Sequence, residues 1–108
     1  MPQVIASKDV FYAIADPTRR EILDRLRAGE QAATQLCRGL PLSQPALSKH
    51  LKVLRQADLV SYQRRGRHRL YRLNPEPLEP LVDWIAHYER FWPAKLARLG
   101  QYLKERRS

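Results

Sequence analysis

The strongest concentration of positive charge in this 108-residue chain lies between Ser43 and Leu73. That segment carries eight cations (Lys49, Lys52, Arg55, Arg64, Arg65, Arg67, Arg69 and Arg72) against one anion, Asp58. The other 77 residues hold 12 cations and 10 anions, so the net charge of +9 is almost all local. A cationic surface confined to one segment is the footprint of a polyanionic partner. Gln44 and Ser48, placed among these charges, offer the paired donors and acceptors that read base edges, whereas Lys and Arg suit phosphates. An anionic membrane would attract the same charge, but membrane adhesion needs exposed Trp or Phe beside it, and both Trp and both Phe lie outside the segment. Nucleic acid is the better partner, and no membrane partner is expected.

Enzyme chemistry finds little footing. Ser43, His50 and Asp58 occupy one helix and its ends, where they cannot form a nucleophile–base–orienter line. No Gly-rich phosphate loop, paired-carboxylate site or His-Glu-x-x-His motif is present. No catalytic residue and no cofactor is expected.

Periodicity supplies the elements that must position the basic segment. Residues Ser7–Ala15 are expected to form a short helix with Val10, Phe11 and Ile14 on one side. Asp16-Pro17 is a strong helix start, followed by the stripe Ile22, Leu23, Leu26 and a stop at Gly29. A third helix is expected over about 33–39, with Leu36 and Leu40 inward, and Pro41-Leu42 as the turn. Ser43 caps a fourth at about Gln44–Ala57, with Leu47, Leu51 and Leu54 facing the core. Gln44, Ser48, Lys52 and Arg55 then share the opposite face, with Lys49 nearby. Free N–H groups at this helix start, behind Ser43, could also meet a phosphate, so Ser43 joins Gln44, Ser48, Lys49, Lys52 and Arg55 as an expected DNA-binding residue. His50 falls beside the leucine stripe, which favours a packed, hydrogen-bonded role over base contact.

Residues 59–73 alternate apolar and polar around Arg65-Gly66-Arg67, a β-hairpin with a basic tip at Arg64, Arg65 and Arg67 that could reach a backbone or an A·T-rich minor groove. Beyond Asn74-Pro75-Glu76-Pro77, an apolar stripe (Leu81, Trp84, Ile85, Tyr88, Trp92, Leu96, Leu99, Leu103) predicts one long helix over about 77–106, kinked near Glu89–Pro93. The fold class is mainly α with one β-hairpin. A helix-turn-helix at about 33–57 followed by a basic wing at 59–73 makes a winged helix.

Composition sets the outer limits. At 108 residues and 44% hydrophobic content the chain suits a single folded domain. Uncharged apolar runs such as Phe11–Ala15 are far short of the ~20 residues that span a bilayer, and the N-terminus does not read as a signal peptide. The one cysteine, Cys37, cannot form an internal disulfide, which fits a reducing cytoplasm, and with three His it cannot build a Cys-rich zinc module.

Ala15-Asp16-Pro17-Thr18-Arg19-Arg20-Glu21-Ile22-Leu23, the run from Leu42 through Ser43-Gln44-Pro45-Ala46-Leu47-Ser48-Lys49-His50-Leu51 to Leu59-Val60, and Tyr71-Arg72-Leu73 together resemble the ArsR/SmtB family of bacterial transcriptional repressors. The resemblance covers nearly the whole chain. It implies a homodimeric winged-helix repressor, often autoregulating, on an imperfect palindromic operator of double-stranded DNA. Asp58 stands where the family commonly has Gly, so a left-handed Asp is expected in that turn. The family's thiolate pair would align with Ala32 and Thr34, and Cys37 lies one turn away. Asp83 and His87 have an acceptable ligand spacing but no second pair near 94–98. No metal site is therefore expected, and the tail resembles a branch of the family without one.

The expected dimer interface comprises Phe11 and Ile14 with Trp84, Tyr88, Phe91, Trp92, Leu96 and Leu99, through segments 7–15 and 77–106. This is more apolar surface than a small winged-helix core needs. Two alternatives remain: a metal- or thiol-responsive repressor of the same family, and a basic RNA-binding module. RNA readers expose aromatics for stacking, and the basic segment has only Tyr62 and Tyr71, at strand positions suited to packing. No small-molecule effector can be named.

Overall fold

The computed structural model describes residues 9–94 together with Arg98, Gln101 and Glu105. The chain divides into two compact units, Met1–Pro77 and Leu78–Ser108.

In the first unit, helix α1 (Val10–Ile14) starts later than the apolar pattern suggests, because the Asp9 side chain accepts from Phe11 N–H and caps it. Its buried residue is Ala13, while Phe11 is exposed. Helix α2 (Pro17–Leu26) has Asp16 accepting from Arg19 N–H at 3.0 Å and Pro17 in its first turn, where no N–H is needed. Ile22, Leu23 and Leu26 turn inward. Strand β1 (Gln31–Ala32) was not expected; two residues carry no legible period, and only pairing with a distant strand defines them. Helix α3 (Ala33–Gly39) buries Leu36, and a tight turn leads to helix α4 (Gln44–Gln56), which buries Leu47, Leu51 and Leu54.

Strands β2 (Val60–Arg65) and β3 (His68–Leu73) pair antiparallel from Val60↔Leu73 to Arg65↔His68. The turn is therefore Gly66-Arg67, one residue shorter than expected, with Leu59 buried ahead of the strand rather than in it. Gly66 has φ +62° and Arg67 does not share the positive φ, the pattern of a Gly-first hairpin turn. β1 joins the free edge of β3, giving a three-stranded sheet ordered β1-β3-β2. The core lies where α2, α3 and α4 meet this sheet, around Ile22, Leu36, Leu47, Leu54 and Leu59.

The second unit departs most from expectation. After a 3-10 turn at Glu76–Leu78, helix α5 (Glu79–Ala86) ends with a cap at His87, and a 3-10 turn follows at Glu89–Phe91. Trp92 is extended, at φ −95° and ψ 154°. The one long kinked helix is thus broken. Pro93 disfavours the helical region for its predecessor and lacks an N–H to continue a helix, and at Trp92 these effects outweigh the continuing apolar phase. Ala94, Arg98, Gln101 and Glu105 are helical again. Among the described residues, no helix is long and apolar enough to cross a membrane.

Candidate nucleic-acid interface

Helix α4 shows its polar side to solvent because its leucine stripe is anchored in the core. Gln44, Ser48, Lys49 and Lys52 are all exposed. Ser43 is spent on structure: its Oγ accepts from Ala46 N–H at 3.2 Å. With Pro45 lacking an N–H and Ala46 engaged, the helix start offers a phosphate less than the open row of donors expected. Arg55 is half-buried with its guanidinium 5.2 Å from the Tyr62 ring centroid, so it is not freely displayed for a phosphate.

His50 faces inward. Arg19, 8% exposed, donates from Nε to Ala13 O at 2.7 Å and from Nη2 to Tyr12 O at 3.0 Å, and its Nη1 lies 3.4 Å from His50 Nδ1. A guanidinium can only donate, so Nδ1 is the accepting atom of this contact. Asp16 Oδ2 lies 4.0 Å from the same nitrogen. His50 therefore ties α4 to the α1–α2 corner rather than standing on the polar face.

The hairpin register decides which wing residues face α4. Tyr62 pairs with Tyr71 and Arg64 with Arg69, and paired residues share a face. Tyr71 is buried, with its ring 5.3 Å from that of Tyr62, so this face turns toward the body of the unit. Near the tip it opens into a cleft of about 440 Å³, lined among others by Gln44 and Ser48 of α4, Thr34 of α3, and Arg64, Arg67 and Arg69 of the wing. No carboxylate is among the residues lining it. Arg65 is exposed on the opposite face of β2, outside the cleft.

Arg69 was missed as a site residue, although strand alternation places it on the face of Tyr71. Its guanidinium lies 4.6 Å from the Tyr62 ring centroid. A hydrogen bond with the Tyr71 side chain, and then the charge of the nearby Tyr62 phenol, hold it above the ordinary arginine value. It is a permanent cation.

The arrangement is thus a helix with an exposed polar face beside a cationic hairpin, and its sequence matches known proteins. Residues 16–62 match the profile of the bacterial regulatory protein arsR family. The transcriptional repressor SdpR of Bacillus subtilis is 39% identical over 80 residues, spanning 74% of this chain and 89% of the relative. The HTH-type transcriptional regulator Rv2034 of Mycobacterium tuberculosis is 43% identical over 93 residues, 86% and 84% of the two chains. The chain belongs to the arsR family. An ArsR-like transcriptional regulator from Rhodococcus sp. RHA1 shares the fold with a TM-score of 0.69 and 34% identity, over 93% of this chain and 90% of that one. As an arsR-family protein this chain is a winged-helix, DNA-binding transcriptional regulator and not an enzyme.

The remaining expected sites are distributed as follows. Phe11 and Ile14 stand on α1; Trp84, Tyr88 and Phe91, in the second unit, are exposed and Trp92 half-exposed; Leu96 and Leu99 lie outside the described residues. Asp83 and His87 are both exposed, one helical turn apart. Cys37 is partly buried, its Sγ donating to Leu42 O at 3.5 Å. Among the described residues, no three His, Cys, Asp or Glu side chains group as a metal site would require.

Proposed function

We propose that the chain is a homodimeric repressor that binds an imperfect palindromic operator, its own promoter included, with α4 in the major groove and the wing on the neighbouring backbone or minor groove. The observation that carries this reading is the cleft itself. Gln44 and Ser48, whose side chains are suited to base edges, line the same cleft as Arg64, Arg67 and Arg69. Lys49, Lys52 and the exposed Arg65 add phosphate contacts around it. Dimerisation is supported by apolar side chains that the second unit exposes: Trp84 on α5 is 53% exposed and Phe91, in the 3-10 turn after it, 68%. A two-fold dimer would cover them and space two recognition helices by one DNA turn, ~34 Å.

The test is selection of bound duplexes followed by titration of the recovered site. Gln44→Ala should cost ~1–3 kcal/mol on that site and little on arbitrary sequence. Arg67→Ala should weaken both alike. Equal affinity of the wild type for the selected site and random duplex at physiological salt, or tighter binding to a structured RNA, overturns the reading.

A further inference from the structure

A helix in the major groove and a wing at the adjacent minor groove are separated, in any B-form duplex, by one sugar–phosphate strand. A protein that straddles the two grooves must leave a channel for that strand. The cleft between α4 and the wing is such a channel: helix on one wall, hairpin on the other, three arginines and no carboxylate lining it.

We propose that this cleft seats the backbone strand between the two grooves and that Arg69 is its fixed phosphate ligand, with Arg64 and Arg67 beside it. The proposal rests on the DNA-binding reading above and assigns a role to a residue outside the α4 face and hairpin tip. Arg64 and Arg69 stand directly opposite each other on one face of the hairpin. Like charges at such a pair destabilise a hairpin, and an anion between them removes the repulsion. Arg69 is also oriented before any ligand arrives, with its guanidinium 4.6 Å from the centroid of the Tyr62 ring, which packs against the buried Tyr71. A guanidinium ordered in advance loses less side-chain freedom on binding than a mobile one at the hairpin tip.

The experiment is a potassium chloride titration of binding to a labelled duplex of arbitrary sequence, with wild type, Arg69→Ala, Arg69→Lys and Arg27→Ala. Arg27 is an exposed cation at the end of α2, outside the cleft, and its variant carries the same net charge as Arg69→Ala. Arg69→Ala should weaken binding about three- to tenfold at low salt and reduce the log–log salt slope by about one per bound protomer. Arg69→Lys should keep the slope with intermediate affinity, because the charge remains while the planar stacking is lost. Arg27→Ala should leave slope and affinity at wild-type values. Circular dichroism and thermal melts of each variant exclude misfolding as the cause.

Wild-type slope and affinity in Arg69→Ala would overturn this inference while leaving the DNA-binding reading intact; no duplex binding by the wild type would overturn both. A second arm replaces chloride by inorganic phosphate at equal ionic strength. Equal displacement by the two salts supports a site built for a continuous backbone. Stronger displacement by phosphate, lost in Arg69→Ala, would assign the cleft to a free phosphate ligand and overturn the backbone proposal.

Discussion

Asp58 follows the recognition helix at φ +61°, a conformation that costs most L-residues about 1 kcal/mol and that Asp tolerates better than most. Its N–H bonds to Arg55 O and its carbonyl accepts from the Asn74 side chain, so the backbone there is pinned from both sides. Asp58→Val, β-branched at a left-handed site, should lower stability by about 1–2 kcal/mol, whereas Asp58→Gly should hold or raise it. Urea unfolding monitored by circular dichroism measures both, and equal midpoints for the two variants would contradict the strain account. Arg69 illustrates a different single-residue effect. Its pKa lies above the ordinary arginine value, so any stability it contributes is present throughout the accessible range and is lost only as pH rises above that value. The cleft therefore keeps this charge between about pH 6 and pH 9.

The behaviour of α4 depends on two contacts that have nothing to do with a ligand. Ser43 fixes its start, and the Arg19–His50 pair holds its inner side to the carbonyls that end α1. Since Ser43 Oγ is committed to the Ala46 N–H, Ser43→Ala should cost about 1 kcal/mol of stability and leave duplex affinity nearly unchanged well below the melting point. Thermal melts read alongside binding isotherms separate these effects. A large affinity loss without a stability loss would instead place Ser43 in direct contact with DNA. The wing is an element of the opposite kind, since its sheet is completed by β1 and its position follows from tertiary pairing.

At the level of the whole molecule, two proposed properties need an intact assembly. The first is the dimer: Trp84→Ala combined with Phe91→Ala removes the most exposed apolar side chains described in the second unit. Sedimentation should show wild type as a dimer at micromolar concentration and the double variant shifted toward monomer. A wild-type monomer with operator binding intact would sink the dimer model. The second is release from DNA without a metal or thiol signal. Cys37→Ser should bind as wild type does, because the Cys37 thiol donates to the Leu42 carbonyl within its own unit. Zinc, cadmium, arsenite and peroxide should each change affinity by less than tenfold, ~1.4 kcal/mol of coupling; a larger change with any of them would point to the responsive alternative.

Local chemistry alone made much of this protein legible. Asp16-Pro17 and Ser43 announce helix starts through their own hydrogen-bonding capacity, and the leucines of α4 set its inner face by their spacing, whereas the left-handed Asp58 was implied by the family resemblance, which puts Gly there. Such features are decided within a few residues, so the chain spells them out. Three features were not legible. β1 exists only because β3 offers it an edge. The break before Pro93 set a local backbone restriction against a long apolar phase, and periodicity gave the phase too much weight. The third is the placement of Arg69, which depends on a register that brings it opposite Arg64 and on the Tyr62 ring beside it. Sequence determined that a basic helix and a basic hairpin would form. Only tertiary packing decided that they face each other across a channel, because strand register and the buried side of each element are set by partners distant along the chain.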